Sequence, residues 1–191
     1  MAAVDSRALL RGLVDAIRRS VPDQQLRAFQ TRDGFGLVKV FYGNPKLHYE
    51  ANHQPKASTI EIGLHFEADE FTNARLLGAF RIHERRIHRE LPGARLEEWD
   101  KGWTRIWEPV AYQVLDAVFQ RDVAERLARY ITVLEPMLRD ELPADVPWET
   151  ARPAASPRAT RSRSARTTRS GSARSASPAR PASRASRTRR R

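Results

Sequence analysis

Hydrophobic residues repeat along this chain with two different periods, and the switches between them mark out its elements. Over 5–20, Leu9, Leu10, Leu13, Val14 and Ile17 share one stripe at helical spacing. Asp5 or Ser6 is placed to cap that helix and Pro22 to stop it. Gly34 to Tyr42 is β-rich and runs into the turn residues Gly43-Asn44-Pro45. Leu47–Glu50 and Thr59–Glu67 predict two further strands, separated by the polar loop Asn52–Ser58. In the second, Ile60, Ile62, Leu64 and Phe66 alternate with Glu61, Gly63, His65 and Glu67, a period of two that predicts one buried and one wet face.

From Asp69 to Leu91 the period becomes helical, with Phe71, Leu77, Phe80, Ile87 and Leu91 on the apolar side and Pro92-Gly93 as terminator. Arg95–Trp99 and Thr104–Trp107 flank Asp100-Lys101-Gly102, a hairpin turn. A last helix is expected from Asp122, carrying Val123, Leu127, Tyr130, Ile131 and Leu134, and Pro136 is expected to kink or end it. Residues 108–121 show no assignable pattern. The order α-β-β-β-α-β-β-α predicts an α+β fold, an antiparallel sheet of about five strands with helices on one face.

Charge divides the chain. Residues 151–191 hold 13 arginines, no lysine and no carboxylate, the remainder being mostly Ser, Ala, Thr and Pro. Of the 34 basic residues, 21 therefore fall in 1–150 against 23 carboxylates, so a chain of net charge +11 has a first part at −2. All Trp, Phe and Tyr residues lie before residue 150. These contrasts predict one folded domain over 1–150 and a disordered basic tail over 151–191, because a segment without large apolar side chains cannot offset its chain entropy. The chain has no cysteine, which excludes disulfides, thiolate metal sites and thiol nucleophiles. No stretch of ~18 apolar residues and no basic-then-apolar leader is present, so the expectation is a cytoplasmic protein without a membrane span.

The phrases Leu47-His-Tyr-Glu50, Ile60-Glu-Ile-Gly-Leu-His-Phe-Glu67 and, after a helix, Leu96-Glu-Glu-Trp99 resemble a small α+β domain of unknown function. That domain occurs in bacterial proteins, often beside nuclease-like or restriction-associated modules. The resemblance covers roughly residues 35–110. It implies a fold and, the family having no established activity, no site residues.

Two His-x-Glu pairs, His48 with Glu50 and His65 with Glu67, are the best candidates for chemistry, because imidazoles and carboxylates sharing a sheet face can bind zinc, iron or manganese or act as acid and base. A hairpin closing near residue 54 or 55 would pair His48 with Glu61 and leave His65 two pairs away. On that register the residues decorate a solvated face and no metal site or cofactor is expected. Arg81, Arg85 and Arg89, with Arg86 and His88, form a basic helix stripe that reads first as a solvated face and second as a phosphate contact. His83 falls on the spacing of Leu76, Phe80 and Ile87 and is expected toward the core. Trp99, Trp103 and Trp107 are expected to pack at a rim or to offer a stacking platform. The four lysines, Lys39, Lys46, Lys56 and Lys101, lack a carboxylate two residues earlier, so the Asp/Glu-x-Lys signature of one nuclease class is absent. Nucleotide-binding glycine loops and the His-Glu-x-x-His motif are absent too.

The tail offers Arg158, Arg161, Arg163, Arg166, Arg169, Arg174, Arg180, Arg184, Arg187, Arg189, Arg190 and Arg191 at short intervals, suited to successive phosphates of DNA or RNA. With no aromatics interleaved, such binding would be electrostatic and non-specific. An acidic protein or an anionic surface would attract the same charge. The sequence thus favours a non-enzymatic binding protein tethered to nucleic acid. Its alternatives are a metal-dependent or acid–base enzyme using the His48/Glu50/His65/Glu67 face, and a protein-interaction domain.

Overall fold

The computed structural model describes residues 5–34 and 36–148; the expected tail, 151–191, lies outside them. The fold is α+β. Helix α1 (Ser6–Ser20) begins at Asp5, whose carboxylate accepts from the Arg7 N–H, and buries Leu9, Leu10, Leu13 and Ile17. Strands β1 (Gln30–Gly34), β2 (Leu37–Phe41), β3 (Leu47–Gln54) and β4 (Thr59–Phe66) follow. After them come α2 (Glu70–Ile82), α3 (Glu84–Glu90), β5 (Arg95–Glu98), β6 (Thr104–Ala111) and α4 (Ala117–Glu141). The six strands pair antiparallel throughout, in the order β1-β2-β3-β4-β6-β5.

Helices α1 and α4 pack together and on one sheet face, where Val38, Val40, Tyr49, Ile60, Ile62, Leu64, Phe66 and Ile106 meet Leu13, Ile17, Leu127, Ile131 and Leu134 in a single core. Gly43 is needed at the edge of that core. Its φ is +96° and a Cβ there would collide with the Trp148 indole, so glycine admits both the turn and the packed ring.

The structure departs from the sequence expectation at five places. Gln30–Gly34 is a sixth strand, polar because it lies at the sheet edge. The helix expected over 69–91 is two helices, broken at His83, which takes φ −95° and ψ 6°. His83 is half-buried there, and its Nε2 lies 2.8 Å from Glu141. Phe71, expected on the buried side, is 69% exposed, under the Arg75 guanidinium. Residues 108–111 extend β6, and α4 starts five residues before Asp122, at Ala117, behind the Asp116 cap. Helix α4 also continues through Pro136 to Glu141, because Met137 and Leu138 beyond the proline are buried in the core.

Candidate functional site

The hairpin β3–β4 turns at Pro55–Ala57, with Ser58 left-handed at φ 52°, later than expected. The later turn changes every pairing. Leu47 faces Phe66 and His48 faces His65, so the expectation of His48 opposite Glu61 is corrected, and with it the reason for expecting dispersed side chains. The two imidazoles stack across the strands with centroids 5.6 Å apart and planes 14° from parallel. Glu50 follows two residues along the same face, opposite Gly63, and Glu67 closes the group just beyond β4.

One ligand atom from each of His48, Glu50, His65 and Glu67 lies within 4.8 Å of all the others. Ligands at ~2.2 Å around one octahedral ion are ~3.1 to ~4.4 Å apart, so small side-chain rotations close the set on a cation. His48, His65 and Glu50 are buried, against the expectation of a wet sheet face. The cover comes from long side chains standing on the sheet. Trp99 meets His65 edge to face at 5.8 Å. Arg105 lies 4.8 Å from the Trp99 ring centre and 3.9 Å from that of Trp107. Its guanidinium is held by Glu61 at 2.5 Å and by Glu97 at 2.6 Å. Gly63 belongs to this packing, since a Cβ there would strike the Ile106 carbonyl and Trp107.

Electrostatically the cluster sets two imidazoles beside two carboxylates and the ammonium of Lys39. His48 Nδ1 lies 3.0 Å from the Pro45 carbonyl, which can only accept, so Nδ1 carries the proton. Nε2 then faces Glu50, at 3.4 Å, and Glu67, at 3.7 Å. Burial pushes His65 down to about 3, against the pull of the Glu50 charge, so its ring is neutral at pH 7. Burial acts to raise Glu50, but the neighbouring His48, His65 and Lys39 outweigh it and hold the carboxyl at about 2. The Lys39 ammonium is the local cation, 2.9 Å from Glu67 and 3.4 Å from Glu50. His48 Nε2 and both ring nitrogens of His65 have no hydrogen-bond partner among the described residues. Buried polar atoms are ordinarily satisfied, at a cost of roughly 1–3 kcal/mol each when they are not.

The structure therefore brings together all four residues of the two His-x-Glu pairs. It does not extend the site to Arg81, Arg85 and Arg89, which are exposed on α2 and α3 and are split by the break at His83. Arg158 to Arg191 lie outside the described residues. The three indoles do not form an open stacking surface, because Arg105 covers Trp99 and Trp107, Arg95 sits over Trp107, and Lys101 over Trp103. Sequence reasoning missed Lys39 and Arg105 as members of the site. Their signal was a long cation at an alternating position of an apolar strand, Leu-Val-Lys-Val-Phe for Lys39. No protein-family model, curated protein or solved structure matches this chain.

Proposed function

We propose that the domain binds a divalent transition-metal ion through His48, Glu50, His65 and Glu67 and uses it as a Lewis acid in hydrolytic chemistry. The observation that carries this reading is the convergence of one buried ring nitrogen from each of His48 and His65, rings whose nitrogens are left without hydrogen-bond partners among the described residues, with two carboxylates. Mixed imidazole and carboxylate donors suit zinc, manganese or iron. Pro45 supplies the outer hydrogen bond that fixes the tautomer of His48. An ion expanding to five or six ligands keeps a position for water or substrate, and Glu67, the least buried ligand, marks the side from which substrate would come. Equilibrium dialysis against Zn²⁺ or Mn²⁺ with elemental analysis is expected to find about one ion per chain, and His48→Ala/His65→Ala is expected to lose it. Full uptake by that variant would overturn the reading.

A second reading concerns the arginines of 151–191 and rests on their charge, 13 cations without a carboxylate. These would hold the domain on DNA or RNA without sequence preference. Engagement of ~6 phosphates implies a loss on the order of a thousandfold in affinity between 50 and 200 mM salt. Replacing the tail arginines with glutamine in the full chain should abolish binding at 50 mM salt; unchanged affinity would sink this reading.

A further inference from the structure

We infer that the cleft beside Glu67 seats a phosphoryl group next to the metal, an inference that rests on the metal reading above. The cleft is open to one side and has a volume of about 490 Å³, within the range of small-molecule sites, and Glu67 belongs both to its wall and to the four-residue cluster. Whatever fills it lies against the side of the cluster where Glu67 is partly exposed. Its chemistry is read from the other walls.

Three cations line the cleft, Arg32, Lys39 and Lys46, against the carboxylates of Asp33 and Glu67. Arg32 and Lys39 are cross-strand partners in the β1–β2 ladder, and Lys39 is in turn the partner of Glu50. Their side chains therefore leave the same sheet face in a row that runs from the cleft into the metal cluster. The Arg32 guanidinium lies 5.4 Å from the Phe41 ring centre, so its planar fork rests on an aromatic support that is itself part of the wall. A supported fork of this kind matches the paired oxygens of a phosphate, while lysines beside it act as point charges.

The present ion pairing of Lys39 couples the cleft to the metal. Its ammonium is shared between Glu67 and Glu50, the two carboxylates that a divalent ion would take. A 2+ ion drawing both carboxylates to itself leaves Lys39 without a counter-charge. With Glu67 also neutralised, Arg32, Lys39 and Lys46 face the cleft against Asp33 alone. A neutral substrate would leave that excess uncompensated, whereas a phosphoryl dianion satisfies it. Metal and phosphate should consequently strengthen each other's binding by the same factor.

The test uses the full chain, Mn²⁺ and inorganic phosphate. Electron paramagnetic resonance counts bound Mn²⁺, and ³¹P relaxation, which falls off steeply with distance from a paramagnetic ion, reports phosphate beside it. Wild-type protein is expected to take up Mn²⁺ and to enhance ³¹P relaxation at least tenfold over the Arg32→Gln/Lys46→Gln variant. In the absence of phosphate that variant should keep wild-type Mn²⁺ uptake, and His48→Ala/His65→Ala should lose both signals. Undiminished relaxation in Arg32→Gln/Lys46→Gln would mean that these cleft cations do not hold the phosphate beside the ion, and would overturn the inference. Mn²⁺ uptake by wild type without ³¹P enhancement would overturn it too, while leaving the metal reading in place. Absence of Mn²⁺ uptake by wild type would remove the metal reading and this inference together.

Discussion

His48, Tyr49 and Glu50 are consecutive on β3, yet they enter two buried charged clusters on opposite faces of the sheet. Toward the helices, the Tyr49 hydroxyl donates to Glu135 at 3.3 Å, and Arg139 donates to the other Glu135 oxygen at 2.9 Å. Glu135 is fully buried, and both its oxygens have partners. On the other face, His48 and Glu50 join His65 and Glu67 in a group where three ring nitrogens have none among the described residues. Both clusters have buried carboxylates at their centres, Glu135 in one and Glu50 in the other, and they differ in completeness. A closed network of donor to acceptor ties α4 to the sheet and leaves nothing to bind. The second group leaves ring nitrogens without partners even with the Lys39 ammonium between its carboxylates, and this contrast separates a structural cluster from a candidate site.

Two clusters with different roles should respond differently to removal. The largest expected effect is on the closed side. Glu135→Ala leaves the Tyr49 hydroxyl buried without an acceptor and opens a cavity, at a cost of about 3 kcal/mol in unfolding free energy. Urea titration measures the loss, and metal uptake per folded chain should be unchanged. A variant that folds normally yet loses metal would show that the clusters are one unit.

The open side should respond to ligand instead. Metal at a hundred times its Kd stabilises the folded chain by about 2.7 kcal/mol if the unfolded chain does not bind it. Chemical denaturation with and without Zn²⁺ should show this gain in wild type and in Glu135→Ala alike. It should vanish in His48→Ala/His65→Ala. Equal stabilisation of that double variant would place the ion elsewhere.

Much of this architecture was legible in the sequence, and the failures share a cause. Helix α1, the strand at β4 and the Asp100–Gly102 turn follow from local periodicity and turn chemistry and form where expected, although β4 is buried on both faces instead of one. The chemistry of the site depended on register, which local pattern does not fix when the loop between two strands is uniformly polar. Asn52–Ser58 offered several closing points, and the chain closes at Pro55–Ala57 rather than at 54 or 55, which brings His48 opposite His65. The cover over the site was invisible for a related reason. Trp99, just after β5, and Arg105, on β6, reach His65 from 34 and 40 positions away in sequence, a tertiary fact that no spacing encodes. The closed cluster was equally hidden, since Glu135 beside a proline reads as the end of a helix and not as its buried centre.

The smallest expected effect is a pH dependence that isolates Glu135. Burial raises its carboxyl from 4.5 to about 7, partly countered by the hydrogen bonds from Arg139 and Tyr49. The groups facing it are Tyr49 from β3, Arg139 from its own helix, and Tyr42, whose ring packs edge to face on Tyr49. Because the folded pKa lies above the unfolded one, the folded chain binds this proton more tightly. The stabilisation is present in full below about pH 4.5 and is lost as pH rises through 7. Glu135→Gln keeps an acceptor for Tyr49 and cannot titrate. The stability of wild type minus that of Glu135→Gln should therefore fall by about 2 kcal/mol between pH 5 and pH 8. Taking the difference cancels every other titrating group, including His65, whose depressed pKa acts with the opposite sign. A difference that stays constant across this range would mean that Glu135 is as ionised in the fold as outside it, and that the closed cluster holds a charge as readily as the open one.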